Sequence, residues 1–530
     1  MSVARNTGFG IATLAAGLLL AGPQAAGVAA ADDSGTQTAH SAGPARGNSG
    51  PSAASGRKAK PANSTALATR KPVADTRRPT AGRVNSASGV PASSPPSNAA
   101  VVLAPAPNTP VAALAPPVMA AAKGLSPLAI TGRLPDVAAE LRKLIEGAAL
   151  GVRRTLFDSA PTVNAVQTTG QVSGEITGNF NVHDAEGNKT TVTILQSAQN
   201  GDVVLHADGT YTYTPGSTFT GQDSFIIKVT DAGTGIDLAN PMRPKAVYVN
   251  VVVDQGTQVY PKFTFTYTTG AVFWNGQSRA ALAWSATQLA STVAVTTPTT
   301  INLTVRGRKG FDESGKKYEA LASASSPRVN AQDSGFYNTV VQEKILTGTD
   351  ANGKKADGTV TFNFIKPWGY GNTIGAKQYD FESVAMHELL HAMGWTDGFS
   401  EPDENTGTNW ATYDQFITNS SGVAAIDPTT HKFNTTLTPN ITGKNGGLYF
   451  NGTNAVAAYG GPVPIYTPDE YDGSSSIAHT NDDIFDGTIK PRDLMNAMDP
   501  FGIGPRTLSS VDRGVLEDLG YTLAPLLVLV

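Results

Sequence analysis

Residues 379–395 read YDFESVAMHELLHAMGW, and this stretch limits the possible folds more than any other. Phe381, Ala385, Leu389 and Ala392 recur at helical spacing, while Met386, Leu390 and Met393 form a second apolar stripe. A helix that is apolar on nearly all sides belongs inside a core, with one narrow polar stripe open to a cleft. That stripe holds His387, Glu388 and His391. Positions i and i+4 lie one above the other, so both imidazoles can meet one metal ion. Glu388 is rotated about 100° from His387, which puts its carboxylate beside the ion rather than on it. There it can take a proton from an attacking water and pass it to a leaving amine. Zinc suits two imidazoles, holds tetrahedral geometry and lowers the pKa of its water to about 7. With seven histidines in 530 residues, this spacing is not a chance expectation.

A catalytic zinc usually takes three protein ligands. Asp397 stands ten residues after His387, and His431 and His479 lie further on. Asp397-Gly398 is also an ordinary turn pair. His431, in the polar DPTTHKFNTT, reads as exposed.

The surrounding sequence, residues 258–530, reads as an α+β domain. YPKFTFTYTTG predicts an edge strand, SRAALAWSATQLASTV an amphipathic helix, and INLTVRG and VTFNFI two further strands. Upstream, residues 160–255 change to short alternating strands: KTTVTILQ, DVVLH, TYTYT, SFIIKVT and AVYVNVVV, set between Gly, Asn and Asp turns. That spacing predicts an all-β sandwich. Residues 134–158 predict one amphipathic helix, with Val137, Leu141, Leu144, Ile145, Ala148 and Val152 on one face, expected to dock on the following domain. Residues 32–120 are Ala, Pro and Ser-rich and predict a disordered stalk, since they cannot bury enough apolar surface to offset ordering entropy. Residues 1–31 predict a signal peptide, a twelve-residue apolar run ending at Ala29-Ala30-Ala31.

Charge and cysteine usage exclude several function classes. Net charge is −4, yet residues 32–120 carry nine Lys/Arg against three Asp, so the globular part is acidic. That argues against nucleic acid as a partner. The absence of cysteine removes disulfides, thiolate metal sites and a thiol latch. No segment, the twelve-residue N-terminal run included, is long enough to span a membrane, which takes about 20 apolar residues. The expectation is a protein secreted to the medium or cell surface, with the stalk as a possible contact to the envelope.

Two resemblances sharpen this reading. NGDVVLHADGTYTYTPGSTFTGQDSFIIKVTDAG resembles bacterial Ig-like and cadherin-like modules, with Asp208, Gly209, Tyr213, Pro215, Phe219, Gly221, Asp223 and Phe225 at the hallmark positions. Tyr213 and Phe225 then face the core, and Asp208-Gly209 forms a hairpin turn. The resemblance implies a spacer or adhesion role. Calcium is a secondary cofactor candidate at Asp223 and Asp231, at Asp350–Gly353, or at Asn481-Asp482-Asp483, all of which turn chemistry also explains.

HELLHAMGWTD resembles the metzincin zinc peptidases, whose pattern H-E-x-x-H-x-x-G-x-x-H/D turns the chain at the glycine, here Gly394. Leu494-Met495-Asn496-Ala497 resembles their Met-turn, with Met495 as its methionine. GSSSIAHTNDD and TLSSVDRGVLEDLGY resemble the bacterial leishmanolysin-like members. In those, a long insertion precedes the third histidine, which falls shortly before the Met-turn and after a serine-rich stretch. The resemblance therefore implies His387, His391 and His479 as ligands, with Asp397 as the alternative third. The expected activity is zinc-dependent endopeptidase action on proteins or peptides, with Glu388 as general base and acid. The rival is a non-enzymatic surface adhesin that keeps the scaffold, and Glu388 discriminates, since a structural zinc site does not need it.

Overall fold

A computed structural model describes residues 100–103, 134–239, 241, 245–311, 317 and 320–525. The signal-peptide segment 1–31, nearly all of the stalk, and residues 526–530 at the end of TLAPLLVLV lie outside the described residues.

Alternating sequence becomes a two-sheet sandwich. One sheet runs β1 (Ala100–Leu103), β4 (Thr190–Gln196), β7 (Gln222–Asp231) and β8 (Ala246–Asp254). The other runs β2 (Val166–Gln167), β3 (Ile176–Asn179), β6 (Thr210–Pro215) and β5 (Gly201–Leu205). All pairings are antiparallel. In β6, Tyr211 and Tyr213 point inward between half-exposed threonines, as a period of two requires. Tyr213 and Phe225 are both fully buried. Asp208-Gly209 makes the β5–β6 turn: Gly209 takes φ +86°, and the Asp208 carboxylate accepts the Thr210 N–H at 3.0 Å.

Helix α1 (Leu134–Leu156) does not lie down on this sandwich, contrary to the expectation of docking. Leu141, Leu144, Ile145 and Val152 are 53–72% exposed among the described residues. Its C-terminal end is held, through Arg154 Nε donating to the Glu186 carbonyl at 2.7 Å and Leu238 N–H donating to the Leu156 carbonyl at 2.8 Å. The helix meets the module end-on, so Leu141, Leu144, Ile145 and Val152 pass no surface among the described residues.

The second half is built on β9 (Lys262–Tyr267), α2 (Gly276–Ala290), β10 (Thr300–Arg308), β11 (Ala322–Ser325), β12 (Gly335–Tyr337), α3 (Val340–Thr347), β13 (Gly358–Asn363), α4 (Phe381–Ala392), α5 (Thr453–Tyr459) and α6 (Ser510–Asp518). Strands β9, β10 and β13 are parallel, with β9 at one edge and antiparallel β11 at the other. An aromatic cluster ties this sheet to α4: Phe362 stacks on Phe381 at 4.5 Å, and Trp274 meets both edge-on.

Helix α2 corrects a second expectation. It is buried on nearly every side rather than amphipathic, because it lies between the β7–β8 face of the sandwich and α4. Small residues at Ala280, Ala281, Ser285 and Ala286 permit that close packing. Trp284 Nε1 donates to the Ser224 carbonyl at 2.9 Å, and Gln288 Nε2 to Asp223 Oδ1 at 2.7 Å. On its other side, Ser285 Oγ donates to the Glu382 carbonyl at 3.1 Å. Ile226 of β7 therefore belongs to the core of the second half rather than to that of the sandwich. Asp223 also accepts from Asn200 N–H, Ser224 N–H and the Tyr213 hydroxyl, at 2.7, 2.7 and 3.0 Å. So many donors make it a structural acceptor, which leaves no lone pair free for calcium.

Candidate metal centre

Helix α4 starts at the Asp380 cap, whose carboxylate accepts the Ser383 N–H at 3.1 Å. Arg506 grips the same carboxylate, with Nε at 2.8 Å and Nη2 at 2.8 Å. Its Nη1 reaches Gln196 Oε1 of the sandwich at 2.6 Å. The helix is thereby fixed at its start by a residue 126 positions away. At its end, Gly394 takes φ +101°, and a Cβ there would stand 2.5 Å from Gln342 Oε1. Both facts require glycine at the turn.

All twelve residues of α4 are buried, Glu388 among them. Its two histidines meet a third from a distant loop. Nε2 of His387 lies 3.0 Å from Nε2 of His391, and Nε2 of His479 lies 3.1 Å from each. All three rings are at most 1% exposed. Each Nδ1 faces a backbone carbonyl: His387 toward Leu494 at 2.8 Å, His391 toward Trp395 at 2.7 Å, His479 toward Ser475 at 2.7 Å. A carbonyl only accepts, so each Nδ1 must carry the proton and donate. In the neutral rings, all three Nε2 lone pairs then converge on one point. Such a convergence is repulsive unless a cation fills it, and outer hydrogen bonds of this kind are the usual support of metal-binding histidines. Nitrogens 3.0–3.1 Å apart can all lie about 2.0–2.1 Å from a common centre, the zinc–nitrogen bond length. The residues present fit that ion.

Two features hold His479 in place. The serine stretch is wound around Asp472, whose Oδ1 accepts Ser474 N–H and Oγ at 2.9 and 2.6 Å. Ile477, β-branched and fully buried, takes φ +73° two residues before His479. Such a conformation costs of order 1–3 kcal/mol and survives only where the surroundings enforce it. Beyond His479, Thr480 N–H donates to the Met495 carbonyl at 2.8 Å. Leu494-Met495 is thus tied to the loop bearing His479 as well as to the His387 ring, and Met495 is fully buried.

Asp397 is not in this group. Among the described residues, one group of three such side chains could hold an ion, and it is His387, His391 and His479. Asp397 is buried, its Oδ1 accepting the Phe399 N–H at 2.8 Å, and burial raises its pKa to about 7. Its charge acts on the equally buried Asp414, whose pKa burial and that charge push well above the usual range. His431 also stands apart, partly exposed and edge-on to Phe336 at 5.3 Å. Of the other calcium candidates, Asp350 is engaged by Lys344 Nζ at 3.0 Å, and Asn481 Oδ1 accepts the Asp483 N–H at 3.0 Å.

The surroundings hold several carboxyls whose pKa is raised. Burial lifts Glu382 to about 7 despite the opposing charge of Arg506. It does the same for Asp499, which also faces Asp380 and Asp482, with Arg492 opposing. An unfolded carboxyl releases its proton near pH 4. Between about 4 and 7 the folded state therefore holds more protons, so the stability from these groups is lost as pH rises across that window. Asp499→Asn removes one such group. Its melting temperature relative to the parent should climb from pH 4 to pH 7 and then level off; a difference independent of pH contradicts the assignment.

Residues 158–240 match the family model of a bacterial Ig domain. No curated protein and no solved structure matches the chain. The sandwich is thus an Ig-like domain, set in a protein of several β-sheets and few helices.

Proposed function

We propose that the protein is a zinc-dependent endopeptidase of the metzincin type, similar to the leishmanolysin-like bacterial members, with His387, His391 and His479 as ligands. The observation that carries this reading is the convergence of three Nε2 lone pairs, each fixed by a carbonyl on Nδ1, beside a buried glutamate on the same helix. When bound, zinc supplies Lewis-acid polarisation of the scissile carbonyl and acidifies the attacking water. Glu388 accepts the proton of that water as the carbonyl is attacked, then donates it to the departing amide nitrogen. The substrates are proteins or peptides, and the Ig-like domain together with the signal-peptide-like N-terminus supports action outside the cell. Among the described residues, no helix is long and apolar enough to cross a membrane.

The test is metal analysis of the full-length protein with a casein-cleavage assay. One zinc per chain is expected, with cleavage abolished by a chelator and restored by added zinc. Sub-stoichiometric metal, or cleavage that ignores the chelator, overturns the proposal.

A further inference from the structure

Arg506 stands where three parts of the fold meet at the start of α4. Its side chain is 11% exposed, and each arm of the guanidinium has a separate task. Nε and Nη2 hold the Asp380 carboxylate, the cap of the helix that carries His387 and His391. Nη2 also donates to the Gly371 carbonyl at 2.9 Å and lies 3.4 Å from Glu382 Oε2. Nη1 points the other way, to Gln196 Oε1 at the end of β4 in the Ig-like domain. That domain returns the contact, with Gln199 Nε2 donating to the Arg506 carbonyl at 2.7 Å. Beside it, Asn372 N–H donates to the Leu195 carbonyl and Ser197 N–H to Asn372 Oδ1, each at 3.0 Å.

The segment before Arg506 leads back to the metal ligands. Residues 498–505 run from the Leu494-Met495 turn to the start of α4 and are fastened along the way. Gly502 N–H donates to the Gln378 carbonyl at 2.9 Å, Gly504 N–H to Asp380 Oδ2 at 3.1 Å, and Ser383 Oγ to the Pro505 carbonyl at 2.6 Å. A Cβ on Gly504 would run into Ser383 Oγ, so glycine permits this approach. His387 sits on the helix, and the Leu494 carbonyl that holds its Nδ1 sits on the turn at the far end of the segment. A slide of about 1 Å between the two would stretch that bond beyond hydrogen-bond reach and draw Nε2 off the common point.

We propose that Arg506 and Gln196 are positioning residues for the His387 ligand: the arginine fixes α4 against the turn that carries the Leu494 carbonyl, and the Ig-like domain, through Gln196, holds the arginine in the orientation that does so. A guanidinium is a rigid planar fork, so holding one arm sets the direction of the others. The Ig-like domain is in this way a support of the ligand set and not a detached spacer.

This inference rests on the zinc site proposed above, and zinc binding is therefore read directly instead of through peptide cleavage. Zinc dissociation constants are measured by chelator competition on the full chain, below the melting temperature of each zinc-free protein. The proteins compared are the parent, Arg506→Lys, Gln196→Leu and Gln196→Glu. Lysine keeps the charge but cannot bridge Asp380 and Gln196 in one plane. Leucine keeps the bulk of glutamine but accepts no hydrogen bond, whereas glutamate restores an acceptor for Nη1. The expected result is a loss of roughly tenfold in zinc affinity for Arg506→Lys and of roughly three- to tenfold for Gln196→Leu, with Gln196→Glu within about twofold of the parent. If Arg506→Lys and Gln196→Leu melt earlier but bind zinc as tightly as the parent, the seam only stabilises the fold and the proposal fails. It fails equally if Gln196→Glu binds as weakly as Gln196→Leu. A parent that binds no zinc overturns the metal site and this inference together, whereas a parent that binds zinc but cleaves nothing refutes the peptidase reading and leaves this inference standing.

Discussion

Glu388→Gln is expected to lower turnover of a peptide substrate by a factor of roughly 10²–10⁴, the usual contribution of general acid–base catalysis, while zinc content stays at one per chain. Glutamine matches the shape of glutamate and needs no rearrangement in a fully buried site. It has no carboxylate to accept a proton at the moment of attack, so the loss falls on kcat. The three imidazoles and their carbonyl partners do not involve position 388, which is why the metal should stay. Equal cleavage of casein by both forms removes the peptidase reading. A variant that loses its zinc as well means that Glu388 supports the ion itself and that its assigned role is wrong.

The second large effect separates the two candidate third ligands. His479→Ala takes away one of three converging nitrogens and should cost more zinc affinity than the roughly 10–100-fold typical of outer-sphere partners, with cleavage lost alongside. Asp397→Asn should leave zinc and activity close to the parent. Asp397 lies with Asp414 outside the group of three histidines, and at a pKa of about 7 it is already half neutral near physiological pH. Asparagine keeps the shape and the acceptor for the Phe399 N–H. Zinc analysis of the two purified proteins decides, and the reverse pattern would reinstate Asp397 as the ligand.

Much of this arrangement was legible because it depends on spacing within one element. The i, i+4 relation of His387 and His391 and the apolar flanks of α4 are local facts. So is the alternation that buries Tyr211 and Tyr213 in β6. What could not be read depends on partners far along the chain. The polarity of α2 suggested one free face, but that face is covered by strands sixty residues upstream, through Trp284 and Gln288. Arg506 carries no sequence sign of its grip on Asp380, although the aspartate itself is recognisable as a helix cap. Backbone carbonyls hold all three histidine Nδ1 atoms, and carbonyls belong to every residue type, so no pattern of side chains announces them. Helix α1 errs in the opposite direction: its stripe of Leu141, Leu144 and Ile145 is real, but among the described residues it meets no surface.

The shared core between the Ig-like domain and α2 bears on how such a chain can be inherited. A module that is duplicated, lost or exchanged freely between genes must finish its own hydrogen bonds inside its own borders. This one does not. Cut away at residue 255, it leaves Ile226 facing water and the Asp223 carboxylate without Gln288, while the remainder keeps a Trp284 indole N–H with nothing to accept it. Descendants of this protein are therefore constrained to carry both halves together, and substitutions in β7 and α2 must be compensated across the seam. A gene rearrangement that is harmless among beads on a string would here break the core that holds α4.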